Sequence, residues 1–148
     1  MSRWDDIFTA ATFAEAGEPE AALALLHAHG AVLAAASPAC LDEPLLDAAL
    51  RLCRRIGAGL ELLMTDTAGP RASPPEALAR RLAASGVPHH FGTAGEPLAA
   101  AAVRFAREHP YVRMVVVDGR EAPPRPAARS QWNRLTCPLV VAGGNGND

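Results

Sequence analysis

From position 31 onward, short apolar runs alternate with longer segments whose apolar residues recur at helical spacing. Ala31–Ala36 is a six-residue apolar run bounded by Gly30 and by Ser37-Pro38, as expected of a buried strand. In 45–56, Leu45, Leu46, Ala49, Leu50, Cys53 and Ile56 fall on one helical face, and Gly57 and Gly59 end the pattern. Residues 60–65 predict a second strand. Pro74-Pro75 opens a helix over 76–85 that Gly86 stops, and 87–92 predicts a third strand. Gly95-Glu96-Pro97 leads into a helix over 98–109, with Pro110 as terminator. Residues 111–117 are apolar apart from Arg113 and predict a fourth strand, which turns out at Asp118-Gly119. A proline-rich stretch over 120–128 predicts irregular chain. A short helix over 128–135, a last strand over 138–142 and a frayed tail over 144–148 complete the pattern.

Ahead of this alternation the rhythm is purely helical. Asp5 and Asp6 suit the start of a helix that runs to Ala16 and stops at Gly17. Pro19 sits where a second helix, 20–29, begins, and Gly30 ends it. The expected organisation is therefore a helical hairpin over 1–30 followed by one α/β domain over 31–143. Strands that alternate with helices imply βαβ units and a parallel sheet. Near-continuous apolar strands imply helices on both faces of that sheet.

Composition narrows the chemistry. The 148 residues are enough for one domain with a sizeable core. All 14 basic residues are arginine, so neither a Schiff-base lysine nor a phosphate-loop lysine exists. A net charge of −2 gives no broad basic surface for nucleic acid. The three cysteines, Cys40, Cys53 and Cys137, form no C-x-x-C pair and read as reduced thiols. The first residues lack the basic-then-apolar run of a signal peptide, and no apolar stretch is long enough to span a bilayer. The expectation is a cytoplasmic protein without membrane insertion.

Four segments together resemble the universal stress protein family, over about residues 31 to 142. They are Val32-Leu33-Ala34-Ala35-Ala36 followed by Asp47-Ala48-Ala49-Leu50-Arg51-Leu52; Gly95-Glu96-Pro97 before an alanine-rich helix; Met114-Val115-Val116-Val117 ending in Asp118-Gly119; and Cys137-Pro138-Leu139-Val140-Val141. The resemblance implies a five-stranded parallel sheet in the order 3-2-1-4-5. It also implies homodimers that pair through the last strand (Pro138 to Ala142) and, in some members, ATP bound at the strand ends near the switch between strands 1 and 4. That location agrees with the general rule for open α/β sheets.

The departures from that pattern fall on the nucleotide site. ATP-binding members carry Asp after strand 1, where Ser37 stands here. Their glycine-rich loop after strand 4 lets backbone amides approach phosphates. Here that loop keeps Gly119, and Ser130 stands in for its terminal serine, but Pro123, Pro124 and Pro126 have no amide hydrogen and Glu121 repels a phosphate. Arg120, Arg125 and Arg129 are a counterweight, since arginine forks can hold an anion. Ser37, Asp118, Gly119, Arg120 and Ser130 are the candidate ligand-binding residues, with ATP or AMP as the implied ligand and weak or lost binding as the expectation.

No other constellation predicts catalysis or a resident metal. His27 and His29 point to different helix faces, and His89 and His90 to opposite sides of a strand. Cys40 lies just after strand 1 near a helix start, with no acid or histidine placed beside it by sequence. Cys53 reads as core. Asp118 and Asp66 are the carboxylates near strand ends that an ATP hydrolase would need. The leading expectation is a non-enzymatic regulatory or accessory protein. The alternatives are an ATP- or AMP-binding protein or weak ATP hydrolase, and an interaction module in which Trp4, Ile7, Phe8 and Phe13 of the hairpin meet a partner protein.

Overall fold

The computed structural model describes residues 19–65, 74–121 and 132–142. The element order is α1 (Pro19–His29), β1 (Ala31–Ala36), α2 (Glu43–Ile56), β2 (Gly59–Met64), α3 (Glu76–Ser85), β3 (His89–Thr93), α4 (Leu98–Glu108), β4 (Val112–Asp118) and β5 (Leu139–Ala142). The five strands form one sheet in the order β3-β2-β1-β4-β5, and every neighbouring pair is parallel. Both were expected.

The alternation of side chains along the central strands builds two cores. Val32, Ala34, Leu60, Leu62 and Val116 face α2 and α3, where they meet Leu46, Ala49, Leu50, Cys53 and Leu82. Leu33, Ala35, Leu63, Val115 and Val117 face α4, where they meet Ala101, Ala102, Val103 and Ala106. All six residues of β1 are fully buried, which is why a run of small apolar residues suits the central strand. Alanine on both β1 and α4 lets that helix approach closely.

Local signals fix the ends of these elements. The Asp42 side chain caps α2 by accepting from the Leu45 amide, and Gly57 ends it in the left-handed region at φ 70°. The helix begins two residues earlier than the periodicity predicts, because Glu43 and Pro44 are polar or conformational starters that the apolar pattern does not register. The third strand begins two residues later than predicted, at His89, after Pro88. Of the predicted helix over 128–135, the described part forms a 3₁₀ turn, Trp132–Arg134, with the Trp132 ring buried against the α4 side. The remaining residues of that stretch, 128–131, lie outside the described residues, as do the predicted first helix of the hairpin and the 144–148 tail.

α1 packs on β2 and β3, on the α4 side of the sheet. Leu26, fully buried, takes the space that a side chain at Gly59 would need; a Cβ there would overlap Leu26 and press on the Pro88 carbonyl. No helix among the described residues is long and apolar enough to cross a membrane.

Candidate functional site

Parallel strands all end on one rim, so the residues that follow β1 and β4 meet at the switch in strand order. Ser37 leaves β1, and Asp118, Gly119 and Arg120 leave β4. The structure brings these four together; Ser130 lies outside the described residues. Two further residues join them. Glu121 accepts a hydrogen bond from the Ser37 amide on Oε1 at 3.1 Å, while its own amide donates to the Asp118 carbonyl at 2.9 Å. Asp42, the cap of α2, accepts from Arg120 Nη2 on Oδ2 at 2.6 Å.

Arg120 is the centre of the cluster. Its Nε and Nη2 donate to the two oxygens of Asp118, both at 2.9 Å, and its amide donates to Asp118 Oδ1 at 2.8 Å. This two-pronged geometry is the strong form of an arginine–carboxylate pair. The hydrogen bonds from Arg120 hold the nearly buried Asp118 carboxyl below its ordinary pKa, against the effect of burial. Hydrogen bonds to Asp118 and then to Asp42 raise the guanidinium's pKa, so it stays charged. The arginine is thus engaged by two carboxylates of its own chain.

Among the described residues, two backbone amides at the rim are engaged as well. The Gly119 amide donates to the Ala142 carbonyl at 2.8 Å and so belongs to the β4–β5 ladder. The Ser37 amide faces Glu121. In sum the described part of the rim offers an anion three carboxylates, Asp42, Asp118 and Glu121, against one guanidinium already bound to two of them. Arg125, Arg129 and the three prolines of the loop lie outside the described residues.

Cys40 is buried beneath this rim. Burial and the nearby charges of Glu121 and Asp118 raise its pKa, outweighing Arg120, so the thiol is protonated and a poor nucleophile. Cys53 is core, as predicted, and its thiol is pushed up to about 12 by burial. Thr65 follows β2 and donates its amide to Ala36; its hydroxyl is fully buried and has no hydrogen-bond partner among the described residues.

Sequence reasoning gives Glu121 only a repulsive charge and Asp42 no role. The Asp-Glu-Pro signature of a helix start was a usable signal for Asp42, since a cap residue must sit at the helix mouth. Nothing in the sequence pointed to a second polar cluster, built on Glu61. This carboxylate sits 1% exposed in the middle of the sheet, on the α4 side. It is paired with His90 Nδ1 on the adjacent strand, and it accepts from the Tyr111 hydroxyl at 2.9 Å. Tyr111 in turn meets the rings of His27 from α1 and His109 from the end of α4. His89 turns to the Val87 carbonyl at 2.9 Å, so only one of the two adjacent histidines enters the cluster, as the strand period requires. Among the described residues no group of three or more His, Cys, Asp or Glu side chains is arranged to hold a metal ion. Asp66 lies outside them.

The chain is similar in fold to solved universal stress proteins. That of Archaeoglobus fulgidus superposes with a TM-score of 0.54 at 16% identity, over 77% of this chain and 93% of the other. UspA of Lactobacillus plantarum gives 0.52 at 17% identity, over 78% and 98%. The A. fulgidus protein in complex with dAMP gives 0.52 at 16% identity, over 77% and 98%. No protein-family model and no curated protein matches the chain. The expected universal-stress fold is therefore present.

Proposed function

We propose that this chain, with its universal stress protein fold, is a non-enzymatic regulatory or accessory protein whose crevice is closed by its own side chains. It then binds adenine nucleotides weakly or not at all. One observation carries this reading: Glu121 holds the Ser37 amide, and Arg120 is held between Asp118 and Asp42. A triphosphate entering here displaces hydrogen bonds to carboxylates and then faces those carboxylates, and like charges brought together in a binding site are unfavourable.

Calorimetric titration of the purified protein with ATP and with AMP, with and without magnesium, tests the reading. The expected result is little or no heat with the natural chain. Glu121→Ala removes one negative charge and frees the Ser37 amide, and is expected to tighten AMP binding by about tenfold. Micromolar binding by the natural chain would overturn the proposal.

A second reading, a nucleotide-binding protein, is favoured by the likeness to a structure that contains dAMP. In its enzymatic form it requires magnesium-dependent ATP turnover that Asp118→Ala abolishes. The same titration separates the two readings. The interaction role expected for Trp4, Ile7, Phe8 and Phe13 falls on residues outside those described; deletion of 1–29 that abolishes partner binding and leaves a folded protein would support it.

A further inference from the structure

All five histidines of the chain lie close to where the strands begin, at the end of the sheet opposite the rim that holds Asp118. His27 and His29 close α1, His89 and His90 open β3, and His109 follows α4. At their centre is the buried carboxylate of Glu61. It shares the α4 side of β2 with Gly59 and Leu63, and Leu26 of α1 fills the space above Gly59. α1, which packs on β2 and β3, therefore lies over Glu61. The ring of His27 on α1 is 4.3 Å from that of Tyr111, whose hydroxyl donates to Glu61 at 2.9 Å.

This cover is lightly held. Among the described side chains of α1, Leu26 is the buried one, whereas α2 buries Leu45, Leu46, Ala49, Leu50 and Cys53, and α4 buries Ala101, Ala102, Val103 and Ala106. A helix of 11 residues is marginal without such packing. Among the described residues the ion-pair partner of Glu61 is His90, whose side chain is 38% exposed and so exchanges its proton with water. The other titratable and charged groups around the cluster turn elsewhere. His27, His109 and His89 direct Nδ1 to the carbonyls of Leu23, Phe105 and Val87 at 2.9, 2.8 and 2.9 Å. His29 is half-buried at the end of α1, and Arg107 and Glu108 are exposed on the last turn of α4. Arg113 runs along Gly30 and donates to the Ile56 carbonyl at 3.3 Å. With His90 protonated the pair is neutral overall. With His90 neutral, one carboxylate charge remains beneath α1, held by a hydroxyl and an imidazole N–H. A buried charge without a counter-charge is costly, and lifting the helix with the least buried surface lets water reach it.

We propose that α1 is a pH-operated strap: it lies closed on β2 and β3 while protonated His90 faces Glu61, and it lifts as His90 loses its proton, with the sheet, α2 and α4 left folded. The direction follows from the pair. The hydrogen bond that His90 donates to Glu61 raises the pKa of His90 above its ordinary 6.5, against the effect of burial. The closed form is therefore fully favoured below the ordinary value and is lost as pH climbs through the raised one. Opening uncovers Glu61, Tyr111 and the seat of Leu26 over Gly59.

Hydrogen–deuterium exchange of the full chain tests this, read by mass spectrometry from about pH 6 to about pH 9 and corrected for the intrinsic rise of exchange with pH. Protection of the α1 amides is expected to fall about tenfold relative to that of the α4 amides, as for an opening linked to the loss of one proton. Glu61→Gln removes the buried charge and is expected to keep α1 equally protected throughout. His27→Phe keeps a ring against Tyr111 and is expected to leave the response in place. A natural chain in which α1 shows no fall overturns the proposal. Equal loss of protection in α1 and α4 overturns it as well, because the cluster then acts on the whole fold. This comparison within the natural chain stands whether or not either variant folds. A response that survives Glu61→Gln, or that vanishes in His27→Phe, also overturns it, since another group then drives the opening.

Discussion

Glu61 and Asp118 are both carboxylates on strands of one sheet, and each is held by a cationic or hydroxyl partner of its own chain. They differ in place and in the exposure of what surrounds them. Glu61 is 1% exposed in mid-sheet, with α1 packed on its strand and the next, and its partners come from other strands and from the approach to β4. Asp118 sits at the rim, where its partner Arg120 is 57% exposed and one turn away in sequence. Both carboxylates are buried, but Glu61 has nothing to replace its partners, whereas Asp118, 4% exposed beside the 57%-exposed Arg120, meets water once that side chain is removed. The same pairing chemistry thus ties together the middle of the sheet in one place and the ends of its strands in the other. The Glu61 cluster fastens the elements around it, and the Asp118 cluster joins the end of β4 to the start of α2.

Removing both partners of Glu61, with His90→Ala and Tyr111→Phe, is expected to destabilise the fold by about 3 kcal/mol in urea unfolding. Arg120→Ala should leave the midpoint nearly unmoved; a shift as large as that of the double variant would erase the distinction between the two clusters.

The pH dependence sharpens it. The hydrogen bond that His90 donates to Glu61 raises the pKa of His90 above its ordinary 6.5, against the effect of burial. A raised folded-state value means that the pairing stabilises fully below the unfolded value of about 6.5 and is lost as pH climbs through the folded value. The unfolding midpoint should therefore fall from pH 6 toward alkaline pH, and Glu61→Gln should flatten the profile. Asp118 acts in the opposite sense. Its value is lowered from 3.8 by Arg120, so its contribution is present above that value and fades as pH falls through the folded one. At the exposed rim that acid-side loss should be the smaller of the two.

Thr65→Val replaces a buried hydroxyl without a partner among the described residues by a methyl group of the same shape, and should stabilise by about 1 kcal/mol. A loss of stability would mean that the hydroxyl has a role at the rim. The smallest effect is chemical: half-buried Cys137 should react with a thiol reagent before buried Cys40 and Cys53, as read by mass spectrometry.

Legibility differed between these regions as well. The Asp118-Gly119 turn, the Ser37 break and Arg120 could be found in the sequence because strand ends carry turn residues and strand ends are where such sheets bind. What those residues do was not visible. Arg120 reads as a free anion donor until the fold sets Asp42, 78 residues away, against it. The Glu61 cluster left no trace at all, because Glu61, His90 and Tyr111 are spread over 50 residues and follow no local period. A lone glutamate in Gly-Leu-Glu-Leu-Leu looks like a solvated position of a strand, yet parallel register puts it between Leu33 and His90 under full burial.

By itself the sequence determined the alternation of strands and helices, the two-faced burial of the sheet and most element ends. These follow from periodicities of 2 and 3.6 and from glycine and proline, which act within a few residues. The start of α2 and the turn before β5 escaped it, since capping and a buried tryptophan there are settled by neighbours. Only the tertiary structure decided the pairing of charges: which carboxylate meets Arg120, which amide Glu121 occupies, and which groups close around Glu61. Electrostatic partners are chosen by distance in space, and residues far apart in the chain come within 3 Å only when the sheet has closed.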